Sequence, residues 1–209
     1  MRIKASAVAM LIVVAALSGC TASPAAAPTA TPSASSAPAE SAESAGPTPT
    51  PTPTGDADDP SAWMITDDGI GPIALGAPFG EALALMPEGT RNDPERCSHT
   101  AWWTPTQGSQ LYMAATDGGA GAPVALVATE SWADPSAAAG LSTEKGIGVG
   151  SSVDEVLEAY PDATEVADTI SPDIIHLRAG RIFFTYREDP VITSVTVTTF
   201  PVPPYELCG

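Results

Sequence analysis

Ile147-Gly-Val-Gly-Ser-Ser-Val-Asp-Glu-Val-Leu-Glu-Ala-Tyr-Pro-Asp-Ala-Thr164 decides the fold, because an earlier stretch aligns on it without a gap. That stretch is Ile73-Ala-Leu-Gly-Ala-Pro-Phe-Gly-Glu-Ala-Leu-Ala-Leu-Met-Pro-Glu-Gly-Thr90. Ile, Gly, Glu, Leu, Pro and Thr coincide at a constant offset of 74. Similar helix signals at both ends of each copy make duplication the reading. Each copy predicts a short strand, a glycine turn and a helix of about two to three turns. In the second, Ser152 and Glu155 have the spacing of a capping box, and Val153, Val156, Leu157 and Tyr160 recur on one face. In the first, Pro78 suits the first helical position, followed by Phe79, Ala82, Leu83 and Met86. Pro87 and Pro161 stop the helices.

Strand-like runs follow each helix: about 98–104, 110–116 and 123–130, then 174–178, 181–187 and 191–200. Gly118-Gly119 and Glu188-Asp189-Pro190 mark turns between them. The predicted fold is α+β: two tandem helix-plus-antiparallel-meander repeats, about 69–138 and 143–200. Together they form one sheet covered on one face by helices.

The glycine turn, helix, proline and meander, occurring twice, resemble the tandem repeat of beta-lactamase inhibitory protein and the single unit of BamE/SmpA-type lipoproteins. Gly146-Ile-Gly-Val-Gly150, Val153 to Tyr160 and Arg181-Ile-Phe-Phe-Thr-Tyr186 are also similar to uncharacterised actinobacterial lipoproteins. The resemblance covers most of residues 69–200. It implies protein binding without catalytic residues. The interface residues of those families are not bound to the motif, so the resemblance assigns none here.

Upstream, residues 1–20 read MRIKASAVAMLIVVAALSGC: Arg2 and Lys4, then an apolar run from about Ala5 to Leu17. That is the layout of a secretory signal, and the run is short for a membrane span of about 20 residues. Leu17-Ser18-Gly19-Cys20 resembles a lipobox. The resemblance implies that residues 1–19 are removed and that Cys20 carries a diacylglycerol thioether. The expected address is the cell membrane, lipid-anchored on its extracytoplasmic face. From Thr21 to Ala62 there is no Val, Ile, Leu, Met, Phe, Trp or Tyr. Such a segment buries too little apolar surface to offset its chain entropy, so residues 20–62 are expected to be a disordered tether. Residues 63–209 are long enough for one domain.

The chain has 8 Lys+Arg against 25 Asp+Glu, a net charge of −17. Losing Arg2 and Lys4 with the leader takes two more positive charges away. That balance argues against nucleic acid and against a basic membrane-binding patch, both of which need clustered cations. With Cys20 lipidated, Cys97 and Cys208 remain as an even pair, expected to form a disulfide. Cys97-Ser98-His99 has no second Cys/His pair at ligand spacing, so no metal is expected. No cofactor motif appears either.

No nucleophile elbow, phosphate loop or zinc-protease helix is present. Ser98, His99 and Asp117 can be grouped on paper as a triad, but nothing in their spacing requires it. Glu81 and Glu155, at matching repeat positions, suit the first turns of helices. Alternation predicts that Ile182, Phe184 and Tyr186 point inward. Arg181, Phe183, Thr185 and Arg187 then point outward, joined by His176, Arg178, Ser194, Thr196 and Thr198. Trp102 and Tyr112 extend that face, with the register at Trp102-Trp103 left open. Aromatic and Arg side chains are the common anchors of interfaces, and the competing reading is a solvated face of cross-strand ion pairs. The functional expectation is a non-catalytic module binding an envelope or secreted protein, or a small ligand. The alternatives are an inhibitor of a secreted hydrolase, and an envelope hydrolase or transferase.

Overall fold

The computed structural model describes residues 59–209 except 106–108, 134, 136–139, 169 and 209. Cys20, the expected leader and the expected tether up to residue 58 lie outside the described residues. Pro60–Ala62, expected within the disordered tether, instead form a single 3-10 turn, which the Asp59 carboxylate caps by accepting from the Ser61 backbone N–H.

Strands dominate. In chain order they are β1 Met64–Thr66, β2 Gly69–Ile70, β3 Ile73–Ala74, β4 Arg91–Asp93, β5 Cys97–Trp103, β6 Ser109–Ala115 and β7 Val124–Ser131. Then come β8 Ser142–Thr143, β9 Thr164–Ala167, β10 Ile175–Ala179, β11 Ile182–Tyr186 and β12 Ser194–Thr198. Two helices, α1 Phe79–Leu85 and α2 Val153–Ala159, follow β3 and β8. The described residues therefore form a mixed α/β fold with two sheets, and the six strand-like runs of the sequence all appear within one to three residues of their expected ends.

The large sheet has eight strands in the order β4-β5-β6-β7-β12-β11-β10-β9, antiparallel throughout. The order is a palindrome about the β7·β12 pair: each helix is followed by a four-strand meander running from one edge to the centre. A smaller sheet, β3-β2-β1-β8, is antiparallel except for the parallel β1·β8 pair. The strand expected around Ile147 is absent. Residues there turn instead, with one isolated bridge from Gly148 to Ser142.

The entry to each helix is fixed by the same hydrogen bonds. Gly76 N–H donates to Val124 O, Val124 N–H to Ala77 O, and Phe79 N–H to Ala122 O. Seventy-four residues later on the helix side, Gly150 N–H donates to Ile192 O, Ile192 N–H to Ser151 O, and Val153 N–H to Pro190 O. Gly76 and Gly150 both have positive φ, +82° and +93°, a backbone state that glycine adopts without steric cost.

One apolar cluster holds the core. Phe79, Ala82 and Met86 from the first helix region and Val156 from α2 join Trp63, Ile65, Ile70 and Ile73 of the small-sheet region. From the large sheet come Ala101, Leu111, Met113, Val127, Leu177, Ile182, Phe184, Val195 and Val197. Two expectations change here. Pro78 is the N-cap of α1 rather than its first residue, and Leu157 is exposed although Leu83, aligned with it in sequence, packs on the core.

Candidate functional site

Directly opposed residues of antiparallel strands share a face, so the register defines the outer side of the large sheet. One cross-strand row reads Trp102, Tyr112, Ala128, Thr196, Phe183, Arg178 from β5 to β10. The next row reads Gln110, Glu130, Ser194, Thr185, His176. Trp102 thus lies on the same face as Tyr112, while Trp103 pairs with Leu111 and packs on the core. Eight of the eleven residues expected on the outer face, Trp102, Tyr112, His176, Arg178, Phe183, Thr185, Ser194 and Thr196, fall in these two rows.

Their exposure differs from expectation. Phe183 is 0% exposed, Thr196 2% and His176 3%. Phe183 lies between Thr196 and Arg178 on the neighbouring strands, with the Arg178 guanidinium 5.5 Å above its ring and the His176 ring edge-on at 6.1 Å. The expectation of basic residues clustered around an exposed Phe is therefore corrected, because Phe183 is buried. Arg181 bonds Asp68 at 2.6 Å and Arg187 bonds Asp173 at 2.5 Å. Arg181 belongs to the β10–β11 turn, where its backbone N–H also donates to Asp67 Oδ1; it ties that turn to the small sheet.

The C-terminal segment explains much of the remaining cover. After β12, Phe200 and Leu207 pack on Ala114, Leu126 and Ala128 of the outer face. The His99 imidazole meets the Leu207 carbonyl at 2.8 Å. Cys208 is disulfide-bonded to Cys97 with Cα atoms 5.7 Å apart, inside the usual range for such a bond. The chain end is a strap over β5–β7. The His99 ring engages the strap, and Asp117 accepts from Gly119 N–H. The ligand atoms of Cys97, His99 and Cys208 lie within 4.8 Å of one another, a proximity invisible in sequence. A disulfide offers no thiolate to a metal.

Beside the strap is a cleft of about 530 Å³. Its floor is the second polar row, Glu130, Ser194, Thr185 and His176, together with Thr196. Asp168, Arg187, Trp132 and Tyr205 stand among its walls. Gln110 donates to Glu130 at 2.6 Å. Desolvation nonetheless raises the Glu130 carboxyl above its ordinary range, outweighing the hydrogen bonds from Gln110 and Tyr112. Burial first and the Glu130 charge second push the Tyr112 phenol far above its ordinary value.

At the other end of the row, His176 Nδ1 and Thr185 Oγ1 are 2.9 Å apart. His176 Nε2 is buried without a hydrogen-bond partner, 3.5 Å from Asp168 Oδ2. Desolvation lowers the imidazole below its ordinary value against the pull of Asp168. Desolvation works on Asp168 in the opposite sense, but the Ser171 and Ile170 backbone N–H groups and His176 hold its carboxyl below the ordinary range. A neutral ring protonated on Nε2 points N–H at Asp168 and accepts from the Thr185 hydroxyl.

Glu130, Trp132, Asp168 and Tyr205 were not singled out from sequence. Parity was the available signal for Trp132, which follows Ala128 and Glu130 at two-residue steps just past the end of β7. No local signal marks Tyr205, which is brought in by the strap. No protein-family model matches the chain, and no curated protein or solved structure matches it. Among the described residues no helix is long and apolar enough to cross a membrane.

Proposed function

We propose that this protein is a lipid-anchored extracytoplasmic binding module whose ligand seats in the outer-face cleft. The cleft carries the reading: it is a concavity with polar groups converging from four neighbouring strands and exposed aromatics beside them, the usual make-up of a ligand site. The leader ending in Leu17-Ser18-Gly19-Cys20 supports the anchor, and the apolar-free residues beyond it support a tether that holds the domain off the membrane.

The globular part is read as a duplicated unit, similar in plan to the tandem repeats of beta-lactamase inhibitory protein. The palindromic strand order and the three helix-entry hydrogen bonds recurring at the repeat offset support this. The helices and small sheet then cover the inner face, which leaves the outer one for binding. One arrangement favours a second reading, an envelope hydrolase: the Asp168–His176–Thr185 line can move a proton to or from a hydroxyl.

Two comparisons test the main reading in cells. Cys20→Ser should shift the protein from the membrane fraction to the medium or leave it unprocessed; mature wild-type protein found free of lipid would contradict the anchor. In-cell crosslinking should lose its products when Trp132 and Tyr205 are both replaced by Ala. Identical products from wild type and that double variant would remove the cleft from the reading.

A further inference from the structure

The cleft's chemistry narrows the class of ligand, given the binding role read above. Five large hydrophobic side chains are exposed among the described residues: Leu85, Trp132, Leu157, Ile170 and Tyr205. The two aromatic ones, Trp132 at 59% and Tyr205 at 49%, both line this cleft. An exposed indole and phenol offer flat apolar faces with a polar tip, which suits a partner that is itself apolar on one face and polar at its edges.

The floor beneath them offers hydroxyls. Ser194 and Thr185 are half-buried neighbours in one cross-strand row; the Thr185 hydroxyl meets His176 Nδ1 and the Ser194 hydroxyl meets Thr196 Oγ1 at 3.4 Å, and each oxygen keeps acceptor capacity for a further partner. Glu130 beside them keeps acceptor capacity beyond its bonds from Gln110 and Tyr112. The charges around the cleft are largely answered from within. Asp168 Oδ1 takes the backbone N–H groups of Ile170 and Ser171, its Oδ2 faces His176, and Arg187 is held by Asp173. An anion would meet Asp168 and Asp189 in a chain of net charge −17. A cation would meet Arg187 on the wall and a carboxyl, Glu130, that burial shifts toward its neutral form. The volume lies within the roughly 300–1,000 Å³ typical of small-molecule sites.

A ligand with apolar ring faces, many edge hydroxyls and no charge meets all of these conditions. We propose that the cleft binds a neutral glycan segment, with sugar rings against Trp132 and Tyr205 and their hydroxyls on Ser194, Thr185 and Glu130.

The test uses the full chain, purified in mild detergent and titrated at up to millimolar concentration with chitotetraose, cellotetraose, maltotetraose and mannotetraose. Tryptophan fluorescence and calorimetry are the readouts. At least one sugar should bind, and Trp132→Ala and Tyr205→Ala should each weaken it by about tenfold or more, the loss of about 1.4 kcal/mol at an aromatic anchor. Leu157→Ala, on the exposed side of α2, should bind as wild type does. Hexyltrimethylammonium is titrated in parallel. Binding of that cation with no sugar bound overturns the glycan in favour of a cationic ligand. No sugar binding, or sugar binding unmoved by Trp132→Ala, overturns it as well. If the cleft-dependent crosslinks survive such a failure, only the ligand class falls; if they are absent too, the binding role falls with it.

Discussion

His176 and Glu130 occupy the two ends of one polar row, and burial acts on them with opposite consequences for stability. Desolvation lowers the His176 imidazole from its ordinary 6.5. Its contribution is present above 6.5 and is lost as pH falls through the lower folded value, because the unfolded chain takes the proton first. Glu130 is raised from its ordinary 4.5, again chiefly by desolvation. Its contribution is present below 4.5 and is lost as pH rises through the higher folded value. Between about pH 4.5 and 6.5 the two therefore oppose each other. His176→Gln should make the urea midpoint rise less steeply with pH across that window, and Glu130→Gln should make it rise more steeply. Comparing slopes removes each variant's constant offset. Slopes equal to wild type would mean that neither group's titration is coupled to folding there.

Seven-residue helices have little stability of their own, so their ends and one buried face decide whether they form. In α2 the Ser152 hydroxyl accepts from Glu155 N–H, and the Glu155 carboxylate accepts from Ser152 N–H. The capping pattern was legible in sequence because it is strictly local. Ser152→Ala should cost about 1 kcal/mol, the usual loss of an N-cap hydroxyl, read as a lower urea midpoint; no change would mean that tertiary contacts alone hold the entry to α2. The six long strands were legible for the same local reason, since alternation and turn residues mark them. β4 and β9 were not: Arg91-Asn92-Asp93 carries no apolar residue, and in Thr164–Ala167 only Val166 is half-buried. Their places come from pairing with β5 and β10. Ile147 is buried without being in a strand, so its apolar character predicted the core but not the conformation.

Across the whole molecule, what sequence could not show is which residues a distant segment covers. Alternation placed Phe183, His176 and Thr196 on the outer face, and the register puts them there. Their burial depends on neighbours across the sheet, and the strap that narrows the same face is held by a bond between residues 111 apart. Closing so long a loop restricts the unfolded chain and is worth about 4–5 kcal/mol in the chain-entropy model. Against the roughly 5–15 kcal/mol of a typical domain, that is a large share. The strap nevertheless contacts a separate small cluster, with Phe200 and Leu207 on Ala114, Leu126 and Ala128, whereas the main core is built from other residues. Two effects should thus separate in a Cys97→Ala/Cys208→Ala variant. Its urea midpoint should fall by an amount corresponding to several kcal/mol, while its far-UV circular dichroism in buffer keeps the wild-type strand signal. Tyr205 should lose its fixed position beside the cleft, so that limited proteolysis cuts after residue 200 in the variant and not in wild type. Equal midpoints would show that the disulfide leaves the unfolded ensemble unrestricted. Loss of the strand signal would show that the main core cannot stand without the strap.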